Sequence, residues 1–340
     1  MKAIFTTLLA GCALVGFASG QSAGISPIPA PTTPVIQIGR GMNLGSMLEE
    51  SRDGDWNAAI HEDYFPIIRQ AGFTLIRVPI SWTQHVSPAP DYAIDPAFLS
   101  RVDWVVAQAQ KNDLQAILDY HNDGALMYDP AANADRFIAI WKQVAEHYKN
   151  APSSILFELL NEPNKKLDVP QWNDLLERAL AAVRATNPAR TIVIGPVRSN
   201  RIDELQNLVL PDGDSHLLVT VHFYDPMSFT HQGAQWVKDG DAWLGNTWKG
   251  TDAEKLAVTA AFDKAAEWGR AHHRPIFLGE FGAYHMGDID SRARWTAFVT
   301  RTAEAHGFPW TYWEFCSGFG VYDPQAHAWR EPLLHALLPK

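Results

Sequence analysis

Short apolar runs alternate along most of the chain with longer segments whose apolar residues recur at helical spacing. Eight runs are rich in apolar and β-branched residues: Val35–Leu44, Thr74–Val78, Leu114–Tyr120, Ile155–Leu160, Thr191–Ile194, Leu217–His222, Ile276–Glu280 and Trp310–Phe315. In the intervening segment Pro96–Lys111, the residues on one helical face are Phe98, Val102, Val105, Val106 and Ala109. Eight strand–helix units in about 300 residues predict a closed (β/α)8 barrel, the TIM barrel, as a single domain over residues 35–340.

An open, doubly wound sheet is the alternative arrangement of strand–helix units. Its dinucleotide-binding form carries a GxGxxG motif after the first strand. The corresponding stretch here, Gly39-Arg40-Gly41-Met42-Asn43-Leu44-Gly45, does not match that motif. The near-continuous apolar character of several runs fits parallel strands covered by helices. The first turn therefore favours the barrel.

The N-terminal segment is typical of a secretory leader. Residues 1–20 contain one charge, Lys2, followed by an apolar run and then Ala18-Ser19-Gly20, which is the pattern of a signal peptide. Residues 21–34 contain four prolines and predict a linker or N-terminal arm. We therefore expect a secreted protein, extracellular or periplasmic. Leu9-Ala10-Gly11-Cys12 also resembles a bacterial lipobox, so lipid attachment at Cys12 is the alternative.

Composition and charge narrow the range of partners. The net charge of −10 argues against nucleic acid as a partner, and no later run approaches the roughly 18 apolar residues of a membrane span. Cleavage of the leader would leave Cys316 as the single cysteine, which excludes an intramolecular disulfide. The chain contains 13 Trp, which either fill the core or form stacking platforms for flat apolar ligand faces. We expect a monomer.

Polar residues end the apolar runs, where a barrel carries its catalytic groups. These residues are Arg77, His121, Asn161, Glu162, His222, Tyr224, Glu280 and Trp313. Two carboxylates aimed into one pocket are the minimum apparatus for glycoside hydrolysis. Ionised Glu280 would raise the pKa of Glu162, while Arg77 and Tyr224 would keep Glu280 charged. Alternatively, the two glutamates only cap helices or pair with arginine.

The stretch from Ile155 to Asn164 resembles the signature of the cellulase-type family 5 glycoside hydrolases. In that family the acid/base and the nucleophile end the fourth and seventh barrel strands, the positions of Glu162 and Glu280 here. The remaining polar strand-end residues also match the family's site in order, and the resemblance extends from Ile38 to Asp323. The resemblance implies a retaining double displacement, with Glu280 as nucleophile and Glu162 as acid and base.

The resemblance also implies roles for the supporting residues. Asn161 would bind the sugar 2-hydroxyl, and His222 would orient Glu162. His121 would bind a hydroxyl of the reacting sugar, and Trp313 would form the floor beneath its ring.

The loop Phe229–Trp236 resembles one common in the endo-acting β-glucanases of this family. His231, Gln232 and Trp236 are therefore expected to form neighbouring sugar subsites, and Trp82 is a further candidate for substrate stacking. Trp243 and Trp248 also lie in or near loops.

This chemistry requires no cofactor and no metal. Asp53-Gly54-Asp55 and Asp212-Gly213-Asp214 do not continue as EF-hand loops, so both are interpreted as solvated turns.

The sequence thus predicts a secreted, retaining endo-glycosidase that hydrolyses β-1,4-glucosidic bonds in cellulose or related β-glucans. The substrate is a polysaccharide or oligosaccharide. A β-mannanase, a xyloglucanase and a mixed-linkage β-glucanase remain open, although the loop after the sixth strand favours glucan over mannan. A non-catalytic sugar-binding barrel is the alternative of a different class. An esterase or peptidase is not indicated, because the single Gly-x-Ser-x-Gly match, Gly20–Gly24, spans the expected cleavage site and does not lie in a predicted strand-to-helix turn.

Overall fold

A computed structural model of the protein describes Met1, residues 38–49 and residues 60–339. The expected cleavage site after Gly20, the expected lipidation site at Cys12, the segment 21–34 and the turn at Asp53-Gly54-Asp55 lie outside the described residues. Among residues 38–49 and 60–339, no helix has the length and apolar character needed to cross a bilayer.

Eight parallel strands form a closed barrel in chain order. They are β1 (Arg40–Asn43), β2 (Leu75–Ile80), β3 (Gln115–Tyr120), β4 (Ile155–Glu158), β5 (Ile192–Ile194), β6 (Leu217–His222), β7 (Ile276–Glu280) and β8 (Trp310–Tyr312). The barrel closes because β1 pairs with both β2 and β8, so that Met42 lies opposite Ile76 on one side and Tyr312 on the other. The predicted (β/α)8 barrel is confirmed.

Helices follow the strands. They are α1 (Tyr64–Ala71), α2 (Pro96–Lys111), α3 (Gly124–Tyr128), α4 (Pro130–His147), α5 (Val169–Arg184), α6 (Val197–Asn200, a single turn with left-handed backbone), α7 (Met227–Thr230), α8 (Asp252–Ala271), α9 (Ile289–Ala305) and α10 (Glu331–Leu337). Short 3-10 turns cover Trp82–His85, Ile202–Asn207 and Gly240–Trp243, and a small hairpin pairs β9 (Tyr322–Asp323) with β10 (Ala328–Trp329).

Helix α2 illustrates how the sequence specifies these elements. The Asp95 side chain accepts hydrogen bonds from the backbone N–H groups of Ala97 and Phe98, and Pro96 occupies the first turn, where its missing N–H costs nothing. The apolar stripe predicted from the sequence is the buried face of the helix. Burial of this stripe against the strands holds the helix on the barrel.

The barrel interior changes from apolar to polar along the strands. One layer is formed by six buried residues, one from each of β2 to β7: Leu75, Ile117, Leu156, Val193, Leu218 and Phe277. Side chains on one face of a strand recur every two residues, so the next inward positions are Arg77, Asp119 and Glu158, all 0% exposed. This polar layer lies towards the carboxyl ends of the strands and forms the base of the candidate site.

Two strands end two or more residues earlier than the apolar runs predicted. Strand β4 ends at Glu158 rather than Leu160, and β8 ends at Tyr312 rather than Phe315. Beyond β4 the chain turns through a left-handed residue, Glu162, with φ 48°. Beyond β8 the peptide between Trp313 and Glu314 is cis. Both runs stay apolar because these turns are buried.

Candidate active site

Arg77 is the centre of the polar layer at the carboxyl end of the barrel. Its guanidinium donates to both oxygens of Glu158, with Nε to Oε2 at 2.7 Å and Nη2 to Oε1 at 2.9 Å. Nη2 also lies 3.0 Å from Asp119 Oδ2. Nη1 donates to Glu280 Oε1 at 2.8 Å and to Asn43 Oδ1 at 2.9 Å. The buried guanidinium therefore holds a fixed position for Glu280.

Burial and Arg77 act in opposite directions on the other two carboxyl groups. Burial raises the pKa of Asp119 to about 7 and also raises the pKa of Glu158, whereas the guanidinium lowers both. The donors of Arg77 at both oxygens of Glu158 match an ionised carboxylate.

Glu280, the last residue of β7, has a hydrogen-bond donor at each oxygen. Arg77 occupies Oε1, and the Tyr224 hydroxyl donates to Oε2 at 2.8 Å. Two donors facing two oxygens match an ionised carboxylate, which accepts only. The β6–β7 register places His222 opposite Glu280, and His222 Nδ1 lies 3.4 Å from Oε2. The Glu280 side chain is 6% exposed, so its orientation is fixed before any substrate binds.

Glu162 projects from the turn beyond β4 and is more accessible, with 28% of its side chain exposed. His222 Nδ1 lies 2.9 Å from its Oε1. Burial raises the pKa of Glu162, while His121, a hydrogen bond from Ser199 and Arg77 lower it. The expected upward shift is therefore present, but its cause is burial rather than repulsion from Glu280. A carboxyl group with a raised pKa holds a proton for delivery nearer neutral pH.

The two glutamates and His222 converge on one point. One ligand-type atom from each of Glu162, His222 and Glu280 lies within 4.8 Å of the others. Within the described ranges this is the one group of three side chains whose spacing would suit a metal ion. An oxygen of each carboxylate therefore lies within 4.8 Å of the other. Retaining glycosidases have carboxyl groups roughly 5–5.5 Å apart, against about 6.5–9.5 Å for inverting ones.

Asn161, His121 and Trp313 border the space above Glu280. Asn161 Oδ1 accepts from Arg77 Nη2 at 2.9 Å, and its Nδ2 lies 3.2 Å from His121 Nε2. The His121 ring is nearly parallel to the Trp313 indole, with centroids 5.8 Å apart and an interplanar angle of 9°. Together they present amide, imidazole and indole groups to one cavity, as a sugar with hydroxyl edges and an apolar face requires.

Two cavities meet at Glu162. The first, about 1010 Å³, is lined by both glutamates, by His121, Asn161 and Trp313, and by the chain after β8 as far as Arg330. The second, about 560 Å³, is lined by Glu162, His222 and the loops after β5 and β6. Tyr224, His231 and Trp236 line both cavities. Binding space therefore extends to both sides of Glu162.

Two of the four subsite candidates do not reach this cleft. Trp82 is 0% exposed and packs edge-on against Phe98, with centroids 5.7 Å apart, so it is a core residue and its expected stacking role is wrong. Gln232 is 1% exposed, and its amide bonds to the backbone of Phe229, Gly245 and Asn246. Gln232 therefore holds the loop after β6 together instead of facing substrate.

The other two candidates lie in the cleft. Trp236 is 63% exposed and packs its edge against Tyr284, with centroids 5.0 Å apart. His231 lies in the wall at 8% exposure, and burial lowers its pKa to about 4, so it is neutral at neutral pH. Trp248, at 2% exposure, is a core residue. Asp214 of the second Asp-Gly-Asp turn pairs with Arg184 at 2.6 Å.

Sequence reasoning missed several buried groups that support the site. Asp119 Oδ2 lies 2.5 Å from His121 Nδ1, and Glu158 holds Arg77. Asp119 and Glu158 each lie two residues after an inward-facing apolar residue of the same strand. This alternation is visible in the sequence and could have identified them as inward-facing. Glu49 accepts from Asn122 Nδ2 at 3.0 Å beside His121, but it lies in a loop whose course no periodicity predicts.

A (β/α)8 barrel with two facing glutamates at the carboxyl ends of its strands is an arrangement typical of glycoside hydrolases. A family model described as cellulase, glycosyl hydrolase family 5, matches residues 35–318. The chain belongs to this family.

Its relatives include Endoglucanase H of Acetivibrio thermocellus, 33% identical over 313 residues that cover 90% of this chain and 33% of the relative. Cellulase/esterase CelE of the same organism is 29% identical over 310 residues, covering 85% of this chain and 36% of that protein. The chain thus spans about a third of the length of these two relatives.

Among solved structures, endoglucanase Cel5A of the hyperthermophile Thermotoga maritima is 43% identical, with a TM-score of 0.87 over 88% of this chain and 97% of that one. Cel5A has been described in complex with mannotriose as substrate and in complex with cellobiose.

Proposed function

We propose that the protein is a retaining endo-β-1,4-glucanase that cleaves cellulose or a related β-glucan. The observation that carries the proposal is the pairing of two unlike glutamates across one point. Glu280 has the hydrogen-bond donors of an ionised carboxylate, whereas burial raises the pKa of Glu162. Ligand-type atoms of the two side chains lie within 4.8 Å, which is close to the separation used by retaining enzymes.

The reaction takes two steps. In the first, a Glu280 oxygen attacks the anomeric carbon as the glycosidic C–O bond breaks, and Glu162 gives its proton to the departing oxygen. A glycosyl ester on Glu280 and a free leaving-group sugar result. In the second, Glu162 takes a proton from water while the water oxygen attacks the anomeric carbon, which releases the sugar and restores the Glu280 carboxylate.

The supporting residues act through geometry and charge. Arg77 and Tyr224 orient Glu280 for attack, and His222 orients Glu162. Asn161 borders the reacting sugar, where a hydrogen bond to its 2-hydroxyl would strengthen in the transition state. Trp313 supplies an apolar floor parallel to His121.

Endo action is favoured by the continuity of the cleft. The cavities on both sides of Glu162 share Tyr224, His231 and Trp236, so a polymer chain can extend past the reacting bond in both directions. The relatives named as endoglucanases support a glucan substrate. The mannotriose complex of Cel5A makes β-mannan the second candidate.

Assays of hydrolysis on carboxymethyl-cellulose, lichenan, xyloglucan, glucomannan and β-mannan, with product sizes recorded, test this proposal. We expect fastest cleavage of a β-1,4-glucan and early release of mixed oligosaccharides. Glu280→Gln should lower kcat by about 10³-fold or more while oligosaccharide binding remains measurable. The isosteric change Glu267→Gln, at an exposed helical residue, should leave kcat unchanged.

A wild-type protein that binds cello-oligosaccharides and cleaves none of these polymers would show a non-catalytic sugar-binding barrel instead. Faster cleavage of mannan than of any glucan would transfer the assignment to β-mannanase.

The leader pattern in residues 1–20 supports export of the protein to the periplasm or the medium. Neutral polysaccharides outside the cell are suitable substrates for such an enzyme. Secretion and a monomeric state stay predictions from the sequence.

A further inference from the structure

A left-handed turn after β5 holds a buried asparagine beneath the acid/base side of the site. Arg198, Ser199 and Asn200 have φ values of 57°, 63° and 55°. Consecutive left-handed residues other than glycine are costly and persist only where the surrounding structure imposes them. Asn200 is 0% exposed, and a Cβ on Gly195 would lie 2.0 Å from its Oδ1. The amide is therefore seated in a tight pocket that requires glycine at 195.

This amide contacts the histidine that faces both glutamates. Asn200 Nδ2 lies 3.1 Å from His222 Nε2. On the other edge of the ring, Nδ1 lies 2.9 Å from Glu162 Oε1 and 3.4 Å from Glu280 Oε2. Glu280 has the donors of an ionised carboxylate and accepts only, so the proton between the ring and the two glutamates is assigned to Nδ1. Burial lowers the pKa of His222 to about 4, so at neutral pH the ring carries one proton and Nε2 is an acceptor.

The orientation of the Asn200 amide follows from the same network. An acceptor at Nε2 requires the Nδ2 donor of the amide to face it, which is the orientation in the structure. The opposite orientation would place Oδ1 against the ring, move the ring proton to Nε2 and leave a bare Nδ1 lone pair facing Glu162. The hydrogen bond on the acid/base would then be lost.

We propose that Asn200 is a positioning residue that fixes His222 in its Nδ1–H tautomer and thereby maintains the hydrogen bond to Glu162. The catalytic consequence rests on the proposed role of Glu162 as acid and base. A donor to the carboxylate stabilises its charged form and lowers its pKa. Removal of the Asn200 donor weakens that hydrogen bond, so Glu162 keeps its proton to higher pH.

Other charged and titratable groups also face this pair. They are Arg77 on β2, Asp119 on β3, His121 after β3, Glu158 on β4, Tyr224 after β6 and Glu280 on β7, and Ser199 of the turn adds a hydrogen bond to Glu162. Substitutions at Asn200 or Gly195 retain all of them. A change in the pH profile then reports the His222–Glu162 hydrogen bond.

The tautomer itself is measured by ¹⁵N NMR of histidine-labelled wild-type protein, with His222 assigned by comparison with His222→Gln. We expect a protonated Nδ1 and a bare Nε2. A protonated Nε2 would overturn the proposal. This measurement does not depend on activity, so it separates failure of the positioning role from failure of the proposed function.

Two variants test the catalytic consequence. Asn200→Leu removes the donor, and Gly195→Ala displaces the amide with a Cβ that meets Asn200 Oδ1. In each variant, the basic limb of the kcat/KM profile should move to higher pH by about 0.5–1 unit. This shift is smaller than complete loss of a charge-assisted hydrogen bond would give, because the substitution weakens the His222–Glu162 hydrogen bond without removing either partner. Cellobiosides with poor leaving groups should lose more rate than dinitrophenyl cellobioside, which needs no proton.

The matched control is Asn187→Leu, which removes another buried asparagine that lies away from the cleft. The Nδ2 of Asn187 donates a hydrogen bond of 2.7 Å to the carbonyl oxygen of Ala145. This variant should lower Tm without moving the basic limb of the kcat/KM profile. A folded Asn200→Leu or Gly195→Ala protein with an unmoved limb and an unchanged leaving-group dependence would show that Asn200 is merely structural. If neither variant folds, the NMR tautomer decides.

Discussion

Two tryptophans with similar sequence settings differ in whether they are buried in the core or exposed to the cleft. Trp82 and Trp236 both follow strands and were both expected to contact substrate. Trp82 is fully buried against Phe98, whereas Trp236 is 63% exposed at the junction of the two cavities. Sequence pattern could not separate them, because an indole packs equally well against core side chains or a sugar face. Only the path of the loop decides which surface it meets.

Trp236→Ala should raise KM for cello-oligosaccharides by about 5- to 20-fold, as expected for loss of one aromatic platform worth ~1–2 kcal/mol. Its Tm should change little because the side chain is exposed. Trp82→Ala should do the reverse: it leaves a cavity costing about 3–5 kcal/mol in unfolding free energy, with KM unchanged in the folded protein. Steady-state kinetics and thermal melts check both. An unchanged KM in Trp236→Ala would remove this residue from the binding surface.

Most of the features that the sequence predicted correctly belong to the strands and to the residues at their ends. Eight apolar runs gave eight strands, and strand-end residues such as Arg77 and Glu280 converge because parallel strands end at one rim. Asp119 and Glu158 could have been found from their spacing of two after inward apolar residues. Asn200 could not, because its position depends on a left-handed turn that no periodicity encodes. Predictability therefore ends where regular elements give way to loops.

The loops that follow β7 and β8 pack so closely that adding one methyl group to Gly282 should disturb the site. A Cβ on Gly282 would lie 2.1 Å from the carbonyl oxygen of Trp313, so Gly282→Ala must shift the backbone that carries the Trp313 indole. We expect kcat/KM to fall about tenfold or more, since displacements near 1 Å in an active site cost up to about 10²-fold.

Gly124→Ala is the control for this change, because no atom lies within 4 Å of the added Cβ. It should retain wild-type kinetics. Wild-type kinetics in Gly282→Ala would instead show that catalysis tolerates movement of Trp313.

The whole barrel combines a rigid base with an open cleft. The apolar layer from β2 to β7 supports the buried Arg77, which in turn fixes Glu280. Glu162 sits on a turn between two cavities of about 1010 and 560 Å³. The proposed polymer substrate would extend past Glu162 in both directions, while Glu280 stays fixed on the barrel. The net charge of −10 does not oppose binding, because the proposed substrates are neutral.

The most direct test of the two-carboxylate mechanism is the anomeric configuration of freshly released product. Proton NMR during the first minutes of oligosaccharide hydrolysis distinguishes the two anomers before mutarotation mixes them. Two successive displacements at the anomeric carbon, through an ester on Glu280, predict that the β-anomer appears first. An α-anomer appearing first would mean a single displacement by water, and would contradict the role assigned to Glu280.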